Sequence, residues 1–353
     1  MKFLWTTQPY KTIWDHLLIF RYPNNVKKLL MGKMDSKREV LYVDGEDLEK
    51  KATQIAFSIA QANEYFVAAD SVSINTSPLL YFYGMLSLAK AIIIANETTV
   101  YLSDVQYHGL TSRPKCDVLE QYKQDEAGWN LEEEYAVIQP GVFSWFTQVT
   151  MKYEFPQNSF IRIKDIFKID PELLDYFKDF YQEEPEVQYL YDLKESLDPY
   201  KLIICPSTLD RVKFEQQFPE MLSDFILSDE TKGGQALVYK SKEHVLGFPK
   251  YLGSYHPIAG GRFLVSGLSY SVGNVKNKRF VYPEISDYVL MFILSNCVRY
   301  KQEFWGKLIQ GELNGVIGLI NLSITNIKLR YVRFILNNLF NEEFNYGVAA
   351  RWM

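Results

Sequence analysis

Six basic side chains stand in positions where they could bind an anion. Each lies in a glycine-containing loop, which lets a ligand approach the backbone closely, or within an apolar helix, where burial alters the chemistry of a charged group. The sequence therefore predicts an anion or nucleic-acid site built from some of them, and it assigns no catalytic residue. The candidate ligand-binding residues are Lys90, His108, Arg113, His256, Arg262 and Arg299.

Each of these residues also has a purely structural interpretation. Lys90 could pack its stem on apolar neighbours and reach the protein edge or a carboxylate, and Arg299 could pair with a carboxylate or cap a neighbouring helix. In the segment His108-Gly-Leu-Thr-Ser-Arg113, the glycine could form a turn with positive φ while the imidazole bonds a buried backbone group. The glycines of His256-Pro-Ile-Ala-Gly-Gly-Arg262 suit an ordinary turn. The sequence leaves both interpretations open.

Motifs for nucleotide, metal and hydrolase chemistry are absent from the sequence. It contains no Walker A loop, no Gly-x-Gly-x-x-Gly turn, no His-Glu-x-x-His helix and no Gly-x-Ser-x-Gly elbow. Asp192-Leu-Lys194 matches half of an acidic nuclease pattern, but the acidic run around it would repel DNA. Because no cluster of metal ligands is visible, we predict no metal site, no cofactor and no metal-dependent hydrolase activity.

The composition is that of a globular protein with one acidic segment. Apolar residues make up 47% of the chain and charged residues 23%, which are ordinary values. Residues 165–198 have a large net negative charge, and the chain contains no strongly basic domain. A protein partner or a second copy of the chain is therefore the expected partner, and nucleic acid is less favoured.

The cysteines and the N-terminal residues predict a cytoplasmic protein. Cys116, Cys205 and Cys297 are odd in number and far apart, which suits free thiols in a reducing compartment. The first ten residues lack the apolar core and the cleavage site of a signal peptide. We also expect no membrane partner.

The most regular segment is a helix predicted over residues 76–95. Pro78 suits its first turn, where a missing N–H costs nothing. Its polar residues Tyr83, Ser87 and Lys90 form one line at spacing i, i+4, i+7, and the rest of the surface is apolar. Such a helix must be buried. It has fewer apolar residues than a membrane span needs and contains a lysine, so a core helix is expected.

Helical patterns at both ends of the chain enclose a section with strand patterns. This arrangement predicts an α+β fold, in which a helical core from the N- and C-terminal segments holds a β-rich mixed insertion. The predicted sections are 1–112, 113–280 and 281–353. The predicted helices are 46–69, 76–95, 171–181, 209–227, 284–300 and 313–340, and the predicted strands are 136–139, 142–149, 159–163, 201–205, 235–239 and 262–265.

The helices at 76–95 and 284–300 are expected to cover each other, since each is too apolar to face water on more than a narrow side. Gly84 should let a neighbouring helix approach closely. The residues expected to be almost fully buried are Leu80, Leu88 and Ile92.

The same packing would place charges at the margin of the contact. Lys90 lies on the first helix, and Asp287 and Arg299 lie on the second. One of the two cations is expected to pair with Asp287, which would leave the other free for an anion.

Two segments carry motifs whose order and separation can be compared with known families. The first is Ser77-Pro-Leu-Leu-Tyr-Phe-Tyr-Gly-Met-Leu-Ser-Leu-Ala-Lys-Ala91 with Tyr107-His-Gly-Leu110. The second is Tyr288-Val-Leu-Met-Phe-Ile-Leu-Ser-Asn-Cys-Val-Arg-Tyr300, which runs into Phe304-Trp305. Together they resemble the YaaC-like family of prokaryotic proteins. The resemblance implies a helical framework, no established activity and no catalytic residues to transfer.

The first segment also looks like the second helix of HEPN-type bundles, several of which are ribonucleases. Their signature is an Arg followed by four to six residues and a His. Lys11 precedes His16 and Lys250 precedes His256 at that spacing, but lysine poorly replaces a planar guanidinium on phosphate. The favoured function is therefore a YaaC-like binding or protein-interaction module. A HEPN-like ribonuclease, toxin or defence component without the usual motif is the alternative.

Overall fold

Helix-forming residues at the two ends and β-branched or aromatic runs in the middle give an α+β fold. The structure, a computed structural model, describes residues 2–37, 45–112, 130–193, 201–204, 211–219, 221–230, 237–242, 255–256, 261–313, 315–342 and 344–347. The α-helices of this part of the chain are α1 (Pro9–Leu18), α2 (Pro23–Lys37), α3 (Gly45–Ser71), α4 (Ser77–Asn96), α5 (Val142–Met151), α6 (Ile163–Lys168), α7 (Leu174–Tyr181), α8 (Arg211–Gln217), α9 (Met221–Asp224), α10 (Pro283–Tyr300), α11 (Gln302–Ile309) and α12 (Ile317–Phe340).

The strands form three sheets. Their bounds are β1 (Lys2–Trp5), β2 (His108–Thr111), β3 (Tyr135–Gly141), β4 (Phe160–Arg162), β5 (Val187–Leu193), β6 (Lys201–Ile204), β7 (Phe225–Glu230), β8 (Leu237–Ser241), β9 (Tyr255–His256), β10 (Gly261–Val265), β11 (Leu268–Val272), β12 (Val275–Arg279) and β13 (Phe344–Gly347). The five-stranded sheet has the order β12-β11-β4-β3-β2, and the six-stranded sheet has the order β7-β8-β6-β5-β10-β9. A parallel pair joins β1 to β13.

The chain divides into two compact units. The first comprises Met1–Lys164, Tyr270–Asn277 and Glu284–Met353, and the second comprises Asp165–Ser269 and Lys278–Pro283. The first unit therefore extends beyond residue 112 and includes β3 and α5. The acidic surplus of the sequence belongs to the second unit, and the charges of the first sum to zero.

Aromatic packing and a shared carboxylate hold the second unit together. Its core cluster consists of Phe214, Phe218, Met221, Phe225, Leu237 and Tyr239. Glu186 accepts hydrogen bonds from Ser266 at 2.7 Å and Lys278 at 2.6 Å, and it also pairs with Lys168. Burial alone would raise the pKa of Glu186, but the bonds from Lys278 and Ser266 outweigh it and hold the pKa below its usual value.

In the first unit, α4 is the central helix, as its all-round apolar sequence predicts. It packs on α3, α5 and α12, and its Phe82 ring meets Tyr288 and Phe292 of α10, each at 5.5 Å between centroids. Leu88 and Ile92 are fully buried, which confirms that part of the prediction. Leu80 is only partly buried, so its prediction is wrong: it lies in the first turn, before the surrounding elements cover every side of the helix.

Gly84 allows α3 and α4 to pack closely. A Cβ atom at this position would lie 2.6 Å from the Phe66 ring and 3.3 Å from the carbonyl oxygen of Ala62. No carbon atom fits at the shorter distance, so the hydrogen of glycine is required for this approach.

A buried lysine of α3 terminates α4. Lys51 is fully buried, and its ammonium donates to the carbonyl oxygens of Glu97 at 2.8 Å and Val100 at 2.7 Å. These carbonyls follow the last turn of α4, where a positive charge is favourable. Burial lowers the pKa of Lys51 to about 8.

Two carboxylates link helices of the first unit. Asp70 at the end of α3 accepts hydrogen bonds from Tyr10 at 3.1 Å, Tyr81 at 2.5 Å and Lys328 at 2.8 Å, which lie on α1, α4 and α12. Burial alone would raise the pKa of Asp70, but the bonds from Lys328 and Tyr81 outweigh it and hold the pKa below its usual value.

Asp287, the second carboxylate, pairs with Arg330 of α12. The guanidinium Nε donates to Oδ2 at 2.8 Å, and the two side chains are 1% and 7% exposed. The prediction that Lys90 or Arg299 pairs with Asp287 is therefore wrong. The planar guanidinium of Arg330 grips the carboxylate with two donors, a geometry that an ammonium cannot provide.

Two predicted elements of the middle section are also wrong. Residues 142–149 form helix α5 instead of a strand, and their buried residues Val142, Phe143, Phe146 and Thr147 lie on one helical face. The segment 209–227 is not one helix, because α8 and α9 are short and strand β7 begins at Phe225. In both segments the apolar residues suit either element, and tertiary pairing decides between them.

Helix α4 is also long and apolar enough to cross a membrane by length and composition. Most of its apolar window, 78%, is buried inside the protein. Its composition is therefore accounted for by its position in the core of the first unit.

We expect Gly84→Ala to destabilise the protein by on the order of 1–2 kcal/mol. Alanine favours a helix over glycine by about 1 kcal/mol, but the new methyl group must displace the Phe66 ring in a packed core. Gly306→Ala is the matched control, because Gly306 lies inside α11 and a Cβ there meets nothing within 4 Å. Urea unfolding should show a lower midpoint for the first variant and an unchanged or higher midpoint for the second. Equal midpoints would contradict the close approach of α3 and α4.

We expect Arg330→Met to destabilise the protein by about 3–5 kcal/mol, since it leaves the carboxylate of Asp287 buried without its cation. A double variant that also carries Asp287→Leu should recover much of this loss, because no buried charge then remains. The free energies of unfolding from urea titrations test both expectations. A double variant that is less stable than Arg330→Met would show that the buried charge is not the cause.

Candidate functional site

Three of the predicted residues, Lys90, His108 and Arg299, come together in the first unit. They belong to α4, β2 and α10, which are far apart in the sequence. The pKa of His108 is lowered first by burial and then by the positive charges of Arg299 and Lys90. The positive charges of Arg299 and Lys90 therefore both act on His108 and disfavour its protonated form.

His108 is positioned by the first residues of β2. Tyr288 of α10 donates its hydroxyl to the His108 carbonyl oxygen at 3.1 Å, and the imidazole lies 5.4 Å from the Phe82 ring and 6.1 Å from the Tyr83 ring. Gly109 has φ +76°, and a Cβ there would lie 2.5 Å from the Phe143 backbone nitrogen, so both the backbone conformation and the close approach require glycine. The predicted positive φ is therefore confirmed.

The imidazole itself is not used for a structural hydrogen bond. Its Nδ1 atom is buried without a hydrogen-bond partner among the residues that the structure describes. The structural interpretation of His108, a bond to a buried backbone group, is not realised at this atom. A buried polar atom without a partner is uncommon in folded proteins and is often found where a ligand or water binds.

Lys90 is half-buried at the end of the polar line of α4. Burial lowers the pKa of the Lys90 ammonium. Within the described ranges its ammonium contacts no carboxylate at ion-pair distance. Ser87, one turn earlier, bonds the Gln61 side chain at 3.2 Å and the Tyr83 carbonyl at 3.0 Å, so it does not satisfy the lysine.

Arg299 lies in the last turn of α10 and is fixed by hydrogen bonds within its own helix. Its guanidinium donates to the Ser295 carbonyl at 3.2 Å and to the Asn296 side-chain oxygen at 2.7 Å. These bonds lie within α10 itself, so neither structural interpretation, a carboxylate partner or the cap of a neighbouring helix, is seen among the described residues. No carboxylate of the described residues pairs with the guanidinium, so its charge is not neutralised there.

Asn296 adds an unused donor to the same site. Its side chain is 8% exposed, and its Nδ2 atom has no hydrogen-bond partner in the described part of the chain. The side-chain oxygen is already held by Arg299, so the amide points its N–H groups elsewhere. An unpaired buried N–H group is satisfied by an acceptor, and an anion supplies one.

A surface groove opens beside Arg299, and we call it the Arg299 groove. It has a volume of about 420 Å³ and is lined by residues that include Thr76, Leu79, Arg299, Gln302 and Trp305. The indole of Trp305 is fixed by a hydrogen bond of 3.3 Å to the Ile74 carbonyl. The groove gives a ligand of small-molecule size access to the guanidinium.

The side chains of the other three predicted residues are not described by the structure. Arg113 lies outside the described residues. His256 and Arg262 belong to β9 and β10 of the second unit, where only their backbone is described; the strand register pairs Gly261 with His256 and Arg262 with Tyr255. The described residues contain no group of three His, Cys, Asp or Glu side chains that could hold a metal ion.

The chemistry of the site is that of an oxyanion receptor. An ammonium, a guanidinium, an imidazole and an amide are all donors or can become donors. A phosphate or carboxylate ligand would supply the acceptors that these groups lack, and charge-assisted hydrogen bonds are the strong ones. The arrangement therefore suits an anion better than a cation or a neutral ligand.

Sequence reasoning missed Asn296 and the aromatic residues around the cations. Tyr83 stacks on Tyr65 at 5.7 Å, and Tyr300 lies 5.0 Å from the Arg299 guanidinium. Asn296 could have been found from its spacing, because it precedes Arg299 by three residues and so shares its helix face. No spacing in the sequence predicts that His108 lies near Lys90 and Arg299.

The fold and the site together define an α+β protein with a helical core and a surface groove that Arg299 lines. The sequence pattern of the family described as YaaC-like Protein matches residues 19–339, which is most of the chain. This chain therefore belongs to the YaaC-like family, as the resemblance implies. No curated protein and no solved structure matches it.

We expect the His108 imidazole to titrate below 6.5 in an NMR pH series, because burial and two neighbouring positive charges disfavour the imidazolium. Arg299→Met should raise this midpoint, and Arg21→Met, which removes an exposed arginine elsewhere, should leave it unchanged. The resonance is assigned with His108→Gln. A midpoint that does not respond to Arg299→Met would contradict the proximity of the two groups.

The same shift makes stability depend on pH with a definite sign. The native state binds fewer protons than the unfolded state, so the contribution of His108 is fully present above pH 6.5 and is lost as the pH falls below it. His108→Gln should therefore flatten the unfolding free energy in that range.

Proposed function

We propose that this YaaC-like protein is a cytoplasmic binding module that holds a phosphate-bearing anion between Lys90, His108 and Arg299. The observation that carries the proposal is the convergence of these groups with no carboxylate paired to either cation among the described residues. Elsewhere in the first unit, the buried charges Lys51 and Arg330 and the more exposed Asp70 have structural partners.

Ligand binding at this site gains from groups that are already in place. Arg299 is held by its own helix, so little side-chain entropy is lost when it meets an anion. An anion would also offset the effect of the two cations on His108 and would favour its protonation. Affinity should therefore rise as the pH falls through the range in which His108 titrates.

A metal-independent ribonuclease is the second candidate function. The observation in its favour is that an arginine and a neutral histidine lie close together, although they come from α10 and β2 and not from one helical motif. A neutral imidazole can act as a general base toward a ribose hydroxyl, and a guanidinium can stabilise the phosphoryl transition state. Incubation with labelled RNA, with His108→Gln as the control, distinguishes cleavage from binding alone.

We expect wild-type protein to bind inorganic tripolyphosphate in calorimetric titrations at low ionic strength. Lys90→Met and Arg299→Met should each weaken binding about tenfold or more, because each removes a charge-assisted contact worth about 1.5–3 kcal/mol. Arg21→Met is the matched control and should bind as the wild type does. The absence of binding to the wild type, or equal affinity of all four proteins, would refute the proposal.

A further inference from the structure

We propose that the Arg299 groove binds a small organic anion, whose carboxylate or phosphate ester meets the guanidinium while its apolar body packs on Leu79, Val298 and Trp305. This inference rests on the proposed function for its use of Arg299, and it names the class of ligand. Two features of the groove carry it together: a cation in a fixed position with no acid opposite, and an apolar wall that a bare inorganic anion would not use.

Arg299 provides a cation whose position is fixed before a ligand arrives. Its Nε and Nη2 atoms donate to the Ser295 carbonyl at 3.2 Å and to the Asn296 side-chain oxygen at 2.7 Å. The N–H groups of Nη1 donate to none of the described residues, so they remain for an acceptor. A carboxylate or phosphate oxygen is the acceptor that forms the strongest hydrogen bonds with a guanidinium.

No negative charge competes for this cation inside the groove. None of the described residues that line it is acidic, and Glu303, which follows Gln302 in the sequence, pairs with Lys307 at 2.7 Å. Thr76 and Gln302 also line the groove, and their side chains form no hydrogen bond with the other described residues. They can therefore bond the remaining oxygen atoms of an anion.

The rest of the lining is apolar and contains a fixed indole. Leu79 and Val298 line the groove from α4 and α10, and both are partly buried. The N–H group of Trp305 donates to the Ile74 carbonyl at 3.3 Å, so the polar atom of the indole already has its partner. These side chains leave an apolar wall in contact with water, and an apolar part of a ligand would bind there because it removes that wall from water.

The volume of the groove limits the size of the ligand. At about 420 Å³ it lies toward the small end of ligand pockets, which measure about 300–1,000 Å³. A bare phosphate ion would leave the apolar wall uncovered. A small organic molecule with one charged end uses both parts of the lining.

The test compares ligand pairs that share a charged end and differ in the apolar body. Calorimetric titrations of the full chain use phenyl phosphate with methyl phosphate, and phenylacetate with acetate. We expect the phenyl ligand of at least one pair to bind at least about fivefold more tightly than its methyl partner. The pair that binds more tightly identifies the charged end as phosphate or carboxylate. Neutral benzyl alcohol should bind far more weakly, and equal binding would show that the guanidinium is not used.

Two pairs of variants locate the ligand in the groove. Leu79→Gln should remove the advantage of the phenyl ligands, whereas Leu80→Gln, the same change at a partly buried position outside the lining, should keep it. Gln302→Glu should weaken the binding of every anion about tenfold, because it places a carboxylate beside Arg299. Gln8→Glu adds an equal charge at the start of α1 and should bind as the wild type does. Both glutamines are exposed, and an acid at the start of a helix is favourable.

The outcomes separate the groove inference from the proposed function. If the phenyl ligands bind no more tightly than their methyl partners, or if Gln302→Glu binds them as Gln8→Glu does, the groove inference is wrong and the anion site stands on its tripolyphosphate titrations. If neither tripolyphosphate nor any ligand of the two pairs binds, both are wrong. Lys90→Met with tripolyphosphate tests the proposed function alone, since Lys90 does not line the groove. Thermal melts check the folding of the leucine variants, and the exposed glutamine variants decide if either leucine variant is unfolded.

Discussion

The structure of the first unit depends on one constraint: α4 has no face that water can solvate over its length. An isolated helix of this kind gains stability only by burying every side, and no single neighbouring helix can do that. Helix α3 packs on one side of α4, and Gly84 allows the short distance between these two helices. Helices α5, α10 and α12 pack on the other sides. Because α10 must lie against Phe82, its last turn carries Arg299 to the vicinity of His108. The candidate site is thus a by-product of how the core is covered.

The distribution of charges in the helical core explains why the cations of the site remain available. Asp287 is a buried carboxylate of α10, and Arg330 donates two hydrogen bonds to it. Asp70 is likewise occupied by two tyrosines and Lys328. Because other groups pair with these carboxylates, Arg299 bonds only residues of its own helix. Lys90 is partly buried, and desolvation lowers its pKa. The acids of the core therefore pair with other groups, and neither Lys90 nor Arg299 forms an ion pair with a carboxylate among the described residues.

Much of the helical framework could be predicted from the sequence, because 3.6-residue periodicity and Pro78 are local signals. The order helix, mixed section, helix also follows from local pattern. Residues 142–149 show the limit: an apolar run of eight residues suits a strand or a helix, and the choice depends on what it packs against. The site shows the same limit. Lys90, His108 and Arg299 could each be singled out by composition, but their convergence and the pairing of Asp287 with Arg330 depend on the packing of α10 and α12 on the first helices.

The order of the elements also has a consequence for synthesis on the ribosome. About 190 residues separate the end of α4 from the start of α10, and α12 follows later still. At ~5–20 residues per second, α4 leaves the ribosome roughly 10–40 s before the helices that complete its burial. During that interval the nascent chain presents a twenty-residue apolar helix with the composition of a membrane span. The order of synthesis therefore leaves the apolar surface of α4 without α10 and α12 for that interval.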